Sequence, residues 1–255
     1  MIESSVIKPP WRRLIRIGTV AAFIAGFVFR RNLAAEATMF VGSAPTTADG
    51  WFMLLHNDSL LGVLFLNFFD IINYALVSLM FLALYVVLRK NFKTAALTAA
   101  LMCFVGTLVY IVSDTAFKIA SLSSQYAAAT TEAQKSASLL AGQSVLAKGV
   151  PGAGYQGVGG LISLFLIALA GLIISVVMSK SKIFNKATTL IGIVAGTFDF
   201  AYLAGLRLLP AASFYVWSSL FIGGAGLLLM VWHLLIGLKL CQLTQKHQVN
   251  RSGKL

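Results

Sequence analysis

Runs of about 20 apolar residues recur along this chain, and they dictate its solvent. Val158–Ser179 holds no charged residue, and about 20 helical residues cover the roughly 30 Å of a bilayer core. The chain is 255 residues long, 58% hydrophobic and 11% charged, against about 25% charged for a soluble domain. Backbone amides find no water in hydrocarbon, so such runs must be helices. The expected fold class is all-α. It is a polytopic membrane helix bundle of six transmembrane helices, one domain over residues 1–255, with both termini cytoplasmic and a helical outer cap.

The spans are expected at about residues 12–32, 60–88, 95–118, 157–179, 187–206 and 214–239. The first is the tightest fit. Arg16 and Arg30 leave 13 uncharged residues between them, so both arginines must snorkel toward the interfaces. Trp11 suits an interfacial anchor at its start. Arg30 and Arg31 follow this run without a small-x-small cleavage site, so it reads as a retained helix rather than a signal peptide.

Lysine and arginine positions set the orientation. With the N-terminus inside, 14 fall on the cytoplasmic side: Lys8, Arg12, Arg13, Arg16, Arg89, Lys90, Lys93, Lys180, Lys182, Lys186, Lys239, Lys246, Arg251 and Lys254. Six fall outside: Arg30, Arg31, Lys118, Lys135, Lys148 and Arg207. That asymmetry follows the positive-inside rule. The net charge of +12 is thus a matter of orientation and anionic lipid, and membrane lipids are expected partners. No segment interleaves basic and aromatic residues as a nucleic-acid surface would, so nucleic acid is not an expected partner. The expected location is a cell inner (plasma) membrane, crossed several times.

Inside, the connections are short. Asn91–Thr94 and Lys180–Lys186 allow only tight helical hairpins. Outside, residues 33–59 and 119–156 are long enough to fold over the outer mouth. In the second of these, Leu122, Tyr126, Ala129, Ala133, Ala137 and Leu140 recur at helical steps, and Thr131–Gln134 fits a capping box. In the first, Trp51–Leu55 is a dense apolar patch, expected as an interfacial anchor or a plug in the bundle.

Carboxylates inside apolar runs are functional candidates, because an ionised group there costs several kcal/mol. Asp70 lies about 28 Å from Arg89 and Asp114 about 31 Å from Lys93 along their helices, so both approach the outer interface. Asp199 lies about 20 Å from Lys186, nearer the middle. Asn67, Asp70, Asn73 and Tyr74 cluster at helical spacing. Tyr110, Asp114 and Lys118 follow at four-residue steps, so Asp114 and Lys118 are expected to pair. Asp199, Tyr202 and Arg207 share the fifth span. The expected ligand or ion pathway is Asp70, Asn73, Asp114, Lys118, Asp199 and Arg207, lining one outward-facing polar cavity. The competing reading makes them hydrogen bonds and ion pairs that hold the bundle together.

Other motifs carry no chemistry. Gly152–Gly157 matches G-x-G-x-x-G, but no strand precedes it. Ser5–Lys8 and Ser179–Lys182 match S-x-x-K without its companion motifs. Asn57-Asp58-Ser59 is a glycosylation site only in a eukaryotic secretory pathway. Cys103 and Cys241 form no disulfide framework. His56, His233 and His247 are scattered and supply neither a metal set nor a haem pair, so no metal and no cofactor is expected. Gly192 and Gly196 form a small-xxx-small motif, with Gly223, Gly224 and Gly226 in the next helix, and allow close helix packing.

Phe69-Asp70-Ile71-Ile72, running into Leu84–Arg89, then Tyr126–Gln134, Val177–Ser181 and Gly192–Gly196, carry a family likeness. From about Phe68 to Leu240 the chain resembles the DUF4386 group of uncharacterised bacterial integral membrane proteins. The resemblance implies a multi-span bacterial protein and implies no activity.

Two functions from different classes follow. The first is binding or translocation of a small molecule, ion or lipid through the polar cavity. The second is a non-catalytic structural or regulatory subunit that partners another membrane protein. An intramembrane enzyme lacks its nucleophile, metal set or phosphate motif, and the convincing inverted repeat of many transporters is missing too.

Overall fold

A computed structural model describes residues 9–39, 45–66, 68–148, 157–208 and 211–252. Their regular structure is entirely helical: α1 (Pro9–Met39), α2 (Ala48–Asn57), α3 (Ser59–Phe65), α4 (Phe68–Ser113), α5 (Ala116–Ala128), α6 (Glu132–Leu146), α7 (Val158–Ser181), α8 (Lys186–Leu208) and α9 (Ala211–Ser252). Four helical stretches are long and apolar enough to cross a membrane: Phe68–Ala128, Val158–Ser181, Lys186–Gly205 and Gly224–Gln245.

The first of these stretches turns back on itself. Phe92 leaves helical geometry at φ −135°, ψ 46°. Ser78 Oγ then lies 2.9 Å from Thr107 Oγ1, 29 residues later, whereas a straight helix would separate them by about 43 Å. α4 is therefore two antiparallel arms, 68–91 and 93–113, joined by the expected tight hairpin. Ser78 and Thr107 lock the arms together, and the Tyr74 carbonyl accepts from the same Thr107 hydroxyl at 3.4 Å.

The bundle is a ring taken in chain order. α1 packs on α4, α4 on α7, α7 on α8, α8 on α9, and α9 returns to α1. Gly18 of α1 sits against Ala83 and the Leu79 carbonyl of the first arm. Gly106 of the second arm faces α7, where an added Cβ would meet Ile167 Cγ1 at 2.8 Å. Gly192 and Gly196 of α8 press on Ser175 and Leu172 of α7, so the small-xxx-small motif packs helices within one chain. The interior holds Phe81, Leu84, Leu88, Ile174, Met178, Trp232 and Ile236. Phe81 meets Trp232 edge to face at 6.3 Å.

Turn chemistry closes the basic end of the ring. Lys182 follows α7 in the left-handed region, at φ 55°. Asn185 then accepts from Thr188 N at 2.7 Å and starts α8. The Arg89 guanidinium stacks 3.8 Å from the Trp11 ring centroid, so Trp11 anchors α1 to the first arm.

At the other end, α2, α3, α5 and α6 build a cap with its own core of Trp51, Phe52, Leu66, Ala116 and Ile119. Trp51 and Phe52 are buried in that core, so within this fold they pack among the cap helices, while Met53 of the same patch is exposed. Gly142 of α6 lets Phe52 approach, since a Cβ there would stand 3.0 Å from Phe52 Cζ. The capping box forms as read: Thr131 Oγ1 accepts from Gln134 N, and Gln134 Oε1 accepts from Thr131 N, both at 3.2 Å. The apolar stripe does not continue across it. The chain leaves the helix between Ala128 and Glu132, which resets the phase. Leu122 and Tyr126 pack inward, whereas Ala133, Ala137 and Leu140 are exposed.

Helix bounds shift for identifiable reasons. The second expected span starts at Phe68 rather than near residue 60, because Asp58 caps the separate helix α3 by accepting from Leu61 N at 2.9 Å. The third ends at Ser113 rather than 118. α1 and α9 run beyond the expected 12–32 and 214–239.

Glycine packing makes a paired prediction. Gly192→Ala drives a methyl into Ser175 and Trp232 and is expected to cost about 1–3 kcal/mol. Gly171→Ala has open space within 4 Å and is expected to change stability by less than about 0.5 kcal/mol. Thermal unfolding in detergent compares them, and equal losses would contradict the close α7–α8–α9 contact.

Candidate functional site

The capped end of the ring gathers polar groups from both arms of α4 and from α8. Asp70 occupies the first turn of α4, and Asn73 and Tyr74 follow one turn later. The hairpin at Phe92 returns Tyr110 to the same level, with the Tyr74 and Tyr110 rings 4.7 Å apart. Asp70 and Asp199 both lie within electrostatic reach of the Tyr74 hydroxyl, as does Tyr202. Asp70 and Asp114 lie within reach of Tyr110. Both arms and α8 thus bring ionisable groups within electrostatic range of this tyrosine pair.

Burial grades across this region. Asn73, Tyr74 and Tyr110 are buried, at 1%, 7% and 1% exposure. Asp70, Asp114 and Asp199 are partly exposed. The carboxylates are therefore more exposed than the phenols and the carboxamide. Asn73 Oδ1 is shielded and accepts no hydrogen bond among the described residues. Below this layer, Ser78, Thr107 and Cys103 form a smaller polar contact, with Ser78 Oγ 3.9 Å from Cys103 Sγ.

Asp114 has a local task as well. Its Oδ1 accepts from Ala116 N at 2.6 Å, which starts α5 just after α4 ends. The expected Asp114–Lys118 pair is not formed. The helix breaks at Asp114, so the two side chains no longer share one continuous face, and Lys118 is exposed. Among the described residues the salt bridge that forms is Lys135–Glu132, at 3.1 Å in the cap. α8 extends through Arg207, whose side chain lies outside the described residues, as does Asn67. Gly152–Gln156 of the glycine motif also lie outside them.

The region offers hydrogen-bond acceptors: three carboxylates, a carboxamide oxygen and phenol oxygens. Among the described residues no three His, Cys, Asp or Glu side chains gather closely enough to hold a metal ion. The carboxylates only accept when ionised, whereas the carboxamide and the phenols both donate and accept.

Some polar residues of the interior escaped the pattern reading. Ser78 and Thr107 meet only because the hairpin mirrors positions about Phe92, and once that pivot is placed they are predictable. His233 is buried beside Trp232, and its Nδ1 lies 2.6 Å from the Leu229 carbonyl, one turn earlier. Ser163 and Ser175 of α7 are fully buried with hydroxyls unpartnered among the described residues. Small polar residues inside apolar helices leave no periodic trace, so nothing in the pattern marks them.

No family model, no curated protein and no solved structure matches this chain.

The capping role of Asp114 separates it from Lys118. Asp114→Ala is expected to lose about 1 kcal/mol and to speed amide exchange over Ala116–Ile119. Lys118→Ala is expected to stay within about 0.5 kcal/mol of the parent. Equal losses in unfolding experiments would mean that the two do pair.

Proposed function

We propose that the chain is a multi-pass protein of a bacterial inner membrane, and that its polar region at the capped end faces outward and binds or translocates a small molecule, ion or lipid. Counting the two arms of α4 separately, and adding α1, makes six spans with both termini on the cytoplasmic side. α1 qualifies through Ile17, Val20, Ile24 and Phe27, an exposed apolar stripe at helical spacing that suits lipid. The 14-to-6 distribution of Lys and Arg supports the orientation. Membership in the DUF4386-like group belongs to the same reading.

One observation carries the reading: Asp70 and Asp199, distant in sequence, both lie within electrostatic range of the buried Tyr74. Carboxylates in apolar helices are expensive to keep, and glue alone would be served as well by neutral amides. Asp199 is the central anchor in this reading, with Asp70, Asn73 and Asp114 around it. Lys118 and Arg207 complete the pathway in this reading as cations expected on the outer side. The acceptor-rich lining favours a cationic or donor-rich ligand.

The alternative, a non-catalytic subunit of a larger membrane complex, is favoured by Leu140. It is 69% exposed on α6, away from the spanning helices.

Mass spectrometry of the protein released gently from its native membrane tests the site. A stoichiometric small molecule or lipid is expected, lost in Asp199→Asn while the unfolding midpoint stays within about 4 °C of the parent. A retained ligand in Asp199→Asn, or a variant that loses stability and no ligand, would instead make Asp199 a structural residue. A protein partner with no small molecule would favour the subunit reading.

A further inference from the structure

We propose that the basic end of the bundle carries a built site for the phosphate of an anionic lipid, formed by Arg12 and Arg89 at the corner between α1 and the first arm of α4. Arg89 is half-buried and held in place by stacking on Trp11, 3.8 Å from its ring centroid. Arg12 is the next residue along α1 and is also half-buried. Its Nε is sealed from solvent and has no hydrogen-bond partner among the described residues. The corner itself is rigid, since Gly18 lets α1 press directly on Ala83 two turns further in.

Among the described residues no carboxylate lies at this corner. Of the described carboxylate side chains, Asp49, Asp58 and Glu132 belong to the cap, Asp70 and Asp114 to the capped ends of the α4 arms, and Asp199 lies 13 residues into α8. Around the corner, Arg13, Arg16, Lys90 and Lys93 add exposed cations. A partly buried guanidinium with an idle donor calls for an anion that can accept several N–H bonds together. A phosphate does so, and the guanidinium fork suits it better than an ammonium does.

The flanks select a lipid over a free phosphate. Ile17 and Val20 on α1, and Leu97 and Leu101 on the second arm, are exposed apolar side chains one to two turns from the cations toward the bundle's middle. Acyl chains covering those side chains would place their headgroup phosphates at the level of Arg12 and Arg89.

The test uses the full chain in nanodiscs of phosphatidylcholine, alone or mixed with phosphatidylglycerol, with retained lipid counted by native mass spectrometry. Selective retention of phosphatidylglycerol is expected. The double variant Arg12→Gln, Arg89→Gln is expected to weaken it about 25-fold, from about fivefold per interfacial cation. Lys148→Gln, which removes one exposed cation just after α6, is expected to leave it unchanged. Equal retention of the two lipids would overturn the proposal, as would an unaffected double variant. An equal loss in Lys148→Gln would show that total charge, not this corner, matters, and would overturn it too. Inorganic phosphate that displaces the lipid at millimolar concentration would make a free phosphate the ligand and overturn the lipid assignment. Should the glutamine pair fail to insert, Arg12→Lys, Arg89→Lys keeps the charge and removes both forks. A several-fold loss is then expected, and undiminished binding would overturn the proposal.

Discussion

The reversal at Phe92 governs what the interior can contain. A membrane-compatible helix of this length must turn or leave the hydrocarbon, and here a single non-helical residue makes the turn. The two arms then run side by side, and positions at equal or nearly equal separations from Phe92 meet. Tyr74 comes to Tyr110, and Ser78 comes to Thr107. Asp70 and Asp114 reach the same Tyr110. Neutral hydroxyls thus join the arms at mid-depth, while the carboxylates are left near the cap.

Glycine and alanine govern the remaining contacts. Without a hydrophobic driving force between helices in lipid, association rests on close approach and dispersion. Gly18 against Ala83, Gly106 against Ile167 and Gly192 against Ser175 each remove the one carbon that would hold the helices apart. The short connections at Phe92 and between α7 and α8 force antiparallel neighbours, the longer ones from α1 to α4 and from α4 to α7 carry the cap helices, and α9 completes the ring against α1.

The two ends of the ring are chemically opposed. The basic end holds Arg12, Arg89 and their neighbouring cations with no described carboxylate. The capped end holds carboxylates, phenols and a small helical core of its own around Trp51 and Phe52. Cations and carboxylates are thus set apart along the bundle. Asp58 and Asp114 each start a cap helix by accepting a backbone N–H.

The apolar runs by themselves determined the helical class, the hairpin between Asn91 and Thr94, the tight turn at Lys180–Lys186 and the capping box at Thr131, because these follow from local hydrogen-bond needs and spacing. The carboxylates too were visible, since a charge in an apolar run stands out against its neighbours. Which of them converge was decided only by the tertiary structure, because convergence depends on where α4 folds and how α8 faces it. The same holds for Trp51 and Phe52. Their pattern showed an apolar patch, but burial required α5 and α6 to close over it. Lys118 failed to pair with Asp114 for a related reason. A spacing of four guarantees contact only while the helix continues, and the helix ends at Ser113, where the polar backbone finds a carboxylate to restart against.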